Sequence, residues 1–260
     1  LNPYLNDSNP TNISQGNSHL DSEKSHSFNL SYSNFTQKFN INLSARYSFT
    51  NNSIEQVTEQ VKDTEIAGLQ NPTGKEVLYS TYQNIGKSRN ASLSGYVNWN
   101  ATSNTRIYAN LYGNYTYMEG ANGLKNDGWN LFAYGGAQQS LPHDWRISLN
   151  VYGQTPWIML QGKGSSFFDY GLSVNKSFLN KRLTLSAFAS NFFKKYTSPT
   201  SSIEGVGFTQ DSWNRYTRQR FGVSVSYRIG ELKASVKKAA RTISNDDVKS
   251  GGGEGGGGGE

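Results

Sequence analysis

The 260-residue sequence contains no cysteine, which excludes disulfides and thiolate metal sites. It is also poor in charge: Asp, Glu, Lys and Arg make up 17%, against roughly 25% in an ordinary globular chain. No run approaches the roughly eighteen apolar residues of a transmembrane helix, which excludes helical spans but not a membrane barrel of short, half-polar strands. An N-terminal signal is missing too. The chain opens Leu1-Asn2-Pro3 rather than with Met, so it reads as a fragment or processed product, and the missing signal says nothing about location. Catalytic signatures are absent: there is no HExxH, G-x-S-x-G, P-loop or EF-hand spacing. His19, His26 and His143 lie far apart and read as solvated polar residues, and Glu55 and Glu59 as part of a charged loop. No enzyme activity, cofactor or metal is expected. The net charge of +6 is spread out and partly sits after Gly230, which excludes a nucleic-acid binder.

What the chain does have is aromatics, at 13% with 16 Tyr and 13 Phe, which argues against disorder. Asn and Ser supply roughly a quarter of the residues, and mean hydropathy is −0.66. Many rings, many small neutral polars and few charges suit strands that bury one face in something apolar. The alternation is plain in Phe221, Val223, Val225 and Tyr227 against Gly222, Ser224 and Ser226. It recurs at Phe28/Leu30/Tyr32 and in the unbroken series Phe39 to Phe49. Further strands are predicted over about 77–100 (bulged near Gly86), from Ile107, Trp129, Ile147, Phe168 and Leu183, and over 220–228, nine in all.

The connections alternate. Tight turns fall at 36–38, 102–104, 141–144 and 179–181, and longer polar loops at 55–76, 119–127, 160–165 and 197–211. Short turns at one end and long loops at the other are the habit of an outer-membrane barrel. The fold class expected is therefore all-β, an antiparallel up-and-down transmembrane barrel, here an open, curved part of about nine strands. The Gly/Ser/Asn parity would line a wet lumen and the aliphatic parity would face lipid. Tyr47, Phe49, Trp99, Tyr115, Tyr117, Trp129, Trp145 and Phe178 would form interfacial girdles. Single-chain bacterial barrels have an even number of strands, so nine implies that strands upstream are missing. Residues 1–25 read as an extracellular-loop segment, 26–230 as the C-terminal part of the barrel, 231–244 as a short basic helix or frayed tail, and 245–260 as a Gly-rich disordered tail.

Three stretches carry a resemblance. Gly16-Asn17-Ser18-His19-Leu20-Asp21-Ser22-Glu23-Lys24-Ser25 resembles the GNP-x-L-x-P-E-x-S segment of TonB-dependent outer-membrane receptors, where a loop leads into a strand. Tyr82-Gln83-Asn84-Ile85-Gly86 is similar to their Y-x-N-x-G pattern, and Arg220 to Tyr227 to the terminal β-signal. The likeness is strongest to the outer-membrane β-barrel family common in Bacteroidetes. It covers about residues 10–230 and corresponds to the last nine of twenty-two strands. It implies an outer-membrane location, uptake of a bulky nutrient (siderophore, glycan or peptide), and coupling to the TonB system through a plug outside this chain. It also implies an assembly signal of Arg220, Gly222, Val225 and Tyr227 read by the barrel-assembly machinery. Trp157, Trp213 and Tyr216 are the candidate ligand-contact aromatics. Two alternatives stay open at this point: a passive porin or plugless outer-membrane barrel, and a soluble β-solenoid or adhesin-type structural protein.

Overall fold

The computed structural model describes residues 2–120 and 123–230. Along the chain run β1 (Leu5–Asn9), β2 (Asn12–Gln15), β3 (Lys24–Phe35), β4 (Phe39–Lys62), β5 (Glu76–Asn100), β6 (Thr105–Glu119), β7 (Lys125–Leu141) and β8 (Trp145–Gln154). They are followed by β9 (Ile158–Met159), β10 (Gly162–Lys163), β11 (Phe167–Phe178), β12 (Leu183–Ser190) and β13 (Tyr196–Thr197). The last four are β14 (Thr200–Gly205), β15 (Phe208–Trp213), β16 (Tyr216–Thr217) and β17 (Arg220–Tyr227). The expected nine long strands are β3 to β8, β11, β12 and β17, each antiparallel to its neighbour in chain order. Among the described residues the sheet is open: β3 pairs only with β4 and β17 only with β12. Such an antiparallel meander is not a solenoid.

The four turns of three or four residues that join consecutive long strands, after β3, β5, β7 and β11, lie at one end of the sheet. The 63–75, 120–124, 155–166 and 191–219 connections lie at the other. Left-handed backbone tightens two of the turns, at His143-Asp144 and at Leu179-Asn180-Lys181.

Several boundaries differ from the expectation. The supposed 55–76 connection is largely strand. β4 continues to Lys62 and stays in register with β5 down to the Lys62–Glu76 pair, after a bulge at Asn51–Ile54 opposite Gly86. The period-2 signal fades there because the adjacent pairs Glu55-Gln56 and Glu59-Gln60 put polar residues on both faces of the hairpin. Residues 1–25 are not all loop, since β1 and β2 form a hairpin whose Asn12–Ser14 pair in parallel with Leu78–Ser80. The 119–127 loop shrinks to 120–124, clasped by a Lys125–Glu119 salt bridge at 3.2 Å. The loops near 160–165 and 197–211 contain paired strands. β9, β10, β14 and β15 make a four-stranded sheet, and β13 pairs with β16. The helix or tail expected over 231–244 and the Gly-rich tail over 245–260 lie outside the described residues.

Register fixes the two faces. Leu30, Ala45, Leu93, Gly113 and Leu131 form one row, and Leu149, Leu172, Ala189 and Phe221 another, on the same face. This face bears large exposed apolar side chains, among them Leu30 at 76%, Leu93 at 62% and Val223 at 78%. Apolar surface of that extent needs a covering, and a bilayer supplies it. Aromatic rows bound it. Phe39 pairs with Trp99, Trp145 with Lys176, and Phe178 with Leu183 near the turns; Tyr115 pairs with Trp129 toward the loops. Ala91 and Trp99 mark the two levels on β5, about 26 Å apart along a tilted strand at about 3.3 Å per residue. The one lysine in the lower row, Lys176, turns its ammonium over the Trp145 and Phe178 rings, each 5.3 Å away, and donates to the His143 carbonyl.

The opposite face is a lattice of small amides and hydroxyls that satisfy one another. Thr116 Oγ1 donates to Asn90 Oδ1 at 2.8 Å, and Asn114 Nδ2 to Thr116 Oγ1 at 2.7 Å. With one face apolar and exposed and the other wet, the sheet itself has little interior. The compact core of Ile13, Ile66 and Val77, with Leu5, Val61, Leu69 and Tyr79 against it, sits at the loop end.

Candidate functional site

The polar face carries large rings as well as small polars. Tyr108 on β6, Tyr134 on β7, Tyr152 on β8 and Phe167 on β11 stand on this face because their register partners are Asn98, Asn110, Asp169 and Gln154. Their centroids follow one another at 5.7, 6.3 and 4.9 Å, and Phe132 joins Tyr152 edge-on at 5.2 Å. Phe167 is the first residue of β11, at the loop end, and Tyr108 lies three residues above the turn after β5. The rings therefore form an oblique path down the face from the loop end to the turn end. They remain accessible, Tyr134 being 41% and Tyr152 37% exposed.

Local sequence makes room for the path. A Cβ at Gly136 would lie 2.6 Å from Tyr108 Oη, so glycine lets that ring cross β7, where its hydroxyl donates to Asn150 Oδ1 on β8. An arginine stands at each end. Arg106 Cζ is 5.7 Å from the Tyr108 centroid, and Arg218 Cζ is 5.5 Å from Phe167 and 5.1 Å from Tyr216. Arg218 is paired with Asp169, whose other carboxylate oxygen accepts from Asn191 Nδ2 at 2.7 Å. Around this pair opens a cleft of about 640 Å³, lined by Gln154, Phe167, Asn191, Tyr196 and others.

A cap built from two loops covers part of the loop end. The Gln161 side chain accepts from Thr58 N at 2.7 Å and donates to Thr58 O at 2.8 Å, imitating a neighbouring strand on β4. Asn126 Nδ2 donates to the carbonyls of Met159 (2.7 Å) and Gly162 (2.9 Å), and Ile158 packs on Gly128, where a Cβ would come within 2.8 Å. Gln210 Nε2 reaches Asn12 Oδ1 at 2.9 Å. Residues distant in sequence thus close over the polar side of β4 and β7.

Outside the sheet's apolar band, the carboxylates of Asp63 and Glu55 are perturbed in opposite directions. The hydroxyl and amide of Thr73, with the amide of Gly74, bind the Asp63 carboxylate at 2.6–2.7 Å and hold its pKa below the ordinary range. Burial raises the Glu55 pKa, against the lowering effect of the Ser53 hydroxyl, and Glu23 adds to the rise. On a strand Glu55 and Glu59 are separated by about 13 Å at about 3.3 Å per residue, too far to act as an acid pair.

Of the aromatics singled out from sequence, Tyr216 stands at the head of the path through Arg218. Trp157 lies against Gly164, and Trp213 ends β15, 65% exposed, so these two are not brought onto the path. Arg220 and Gly222 lie on the polar face of β17, and Val225 and Tyr227 on its apolar face. His26 stacks on Phe49 at 5.0 Å and His143 sits in a turn; among the described residues no cluster of three or more His, Asp or Glu is placed to hold a metal. The rings of the path were legible in one respect only: Tyr108, Tyr134 and Tyr152 are bulky residues on the parity otherwise reserved for Asn, Ser and Gly.

Residues 1–227 match the family model described as "Outer membrane protein beta-barrel family". No curated protein and no solved structure matches the chain.

Proposed function

From the premise that this chain belongs to the outer membrane protein beta-barrel family and resides in the bacterial outer membrane, we propose that it forms part of a barrel that takes up a bulky nutrient in the manner of a TonB-dependent receptor. The observation that carries the reading is the ring path beneath a loop-built cap on the wet face of the sheet. In a barrel that face looks inward, and the longer loops stand outside the cell. The 1–25 segment then belongs to the outer surface, and the cap and the 640 Å³ cleft meet ligand first. Trp157, Trp213 and Tyr216 are proposed contacts in these loops. Arg220, Gly222, Val225 and Tyr227 on β17 are proposed as the signal that the barrel-assembly machinery reads. Energy would come from the TonB system acting on a plug, with no catalytic step by this chain. The motifs at Gly16–Ser25 and Tyr82–Gly86 support a Bacteroidetes-type receptor.

The test is a strain lacking the full protein, grown on ferric siderophores, glycans or peptides as the limiting nutrient. Growth should fail on one class, recover with the wild-type gene, and depend on the proton-motive force. Unchanged growth on every class overturns the reading, and uptake that survives a protonophore identifies a passive porin instead.

A further inference from the structure

Resting on the transport reading, we propose that the ring path from Phe167 to Tyr108 is a binding track for a linear, acidic oligosaccharide. Three observations converge. First, the path takes one ring from each of four neighbouring strands, with centroid steps of 4.9–6.3 Å and ring planes inclined to one another by 44–73°. A ligand matching them repeats along its length and offers flat, weakly polar faces; a pyranose chain does so through its axial C–H groups, whereas a compact iron chelate covers one or two rings. Second, the rings are interleaved with uncharged amides. Asn110 is paired with Tyr134, Gln154 with Phe167, and Asn150 accepts the Tyr108 hydroxyl. Amides present donor and acceptor together and suit the hydroxyl groups at the edge of a sugar ring.

Third, the charge on this face is one-sided. Arg46, Arg106, Arg146 and Arg220 share its strand registers with Asp169, which Arg218 already occupies. Arg106 and Arg146 stand near the turn end; near the loop end Asp169 neutralises Arg218, and Arg220 on β17 supplies the further positive charge. Guanidinium groups bind carboxylate or sulfate in bidentate fashion, and those of Arg106 and Arg218 lie 5.7 and 5.5 Å from the centroids of the terminal rings. The track thus combines ring faces for the sugar, amides for its hydroxyls and arginines for its acid groups.

The test uses the full-length protein in detergent, titrated calorimetrically with hexagalacturonate, hexaguluronate, maltohexaose and hexaglutamate. At least one hexauronate should bind at least tenfold more tightly than maltohexaose, and more weakly as salt is raised. Tyr134→Ala, Tyr152→Leu, Arg106→Gln and Arg218→Gln should each weaken that binding at least fivefold. Tyr134→Phe should retain it, because it keeps the ring, and it also shows that the site survives substitution. The proposal is overturned if neither uronate binds, if maltohexaose binds as tightly, if the ring variants bind like wild type, or if hexaglutamate binds as tightly with the same sensitivity. Failure here is separable from failure of the transport reading. A deletion strain that still loses uptake of peptides or ferric chelates keeps the transporter and removes only the glycan.

Discussion

Asp63 does the work of a loop clamp through a single carboxylate that accepts from Thr73 Oγ1, Thr73 N and Gly74 N. Because those bonds favour the anion, its folded pKa is depressed, and the Thr73 hydroxyl is the largest cause. A depressed carboxylate stabilises the fold fully above its unfolded pKa, and that contribution is lost as pH falls through the folded value. Amide exchange at Thr73 and Gly74, corrected for intrinsic rate, should be flat from neutral pH down to the ordinary carboxylate range and should accelerate below it. Asp63→Asn should speed both amides roughly tenfold at neutral pH and abolish the acid step. If the asparagine variant exchanges like wild type, the carboxylate is not the clamp. In sequence, nothing local tied Asp63 to residues ten positions on. At the path, parity placed Tyr134 and Tyr152 on the wet face, yet their contact depends on the β7–β8 register.

At the scale of elements, the cap hangs on Gln161, a buried amide that meets both backbone groups of buried Thr58. Removing one partner leaves buried donors and acceptors unmet, at about 1–3 kcal/mol. Gln161→Ala should therefore raise hydrogen exchange over 158–163 and 56–60 while protection of β5 to β8 stays as in wild type. Unchanged exchange at both segments would mean that the cap is held elsewhere. The strands in the band between the aromatic rows were readable because lipid on one side and water on the other impose strict alternation. Where β4 and β5 continue beyond the bulge at Asn51–Ile54, that asymmetry ends, and pairing is carried by register propagated from below. The two-residue strands β9, β10, β13 and β16 had no readable period because two residues cannot show one, and the pairing of β9 and β10 with β14, and of β13 with β16, joins separate segments.

At the scale of the whole molecule, the decisive property is sidedness. Leu93 and Ser94 are neighbours on β5 with opposite faces, Leu93 in the apolar row with Ala45 and Gly113. In lipid vesicles, Leu93→Arg should lower unfolding free energy by about 2–4 kcal/mol, the cost of arginine at a bilayer midplane, while Ser94→Arg should stay near zero. Urea titration of the full-length protein measures both, and equal costs would refute the assignment of faces. The sequence by itself determined the all-β class, the nine long strands, the lipid and water parities and the asymmetry of the two ends, because each is imposed by the medium a residue touches and so is written locally in period and turn residues. Only the tertiary structure decided that β4 runs on beside β5 to Lys62, that loops a hundred residues away reach back to Thr58, and that rings from four strands form one path with arginines at its ends. Those features depend on register between distant segments. A one-dimensional alternation states which face a side chain takes, and leaves open the neighbour it meets there.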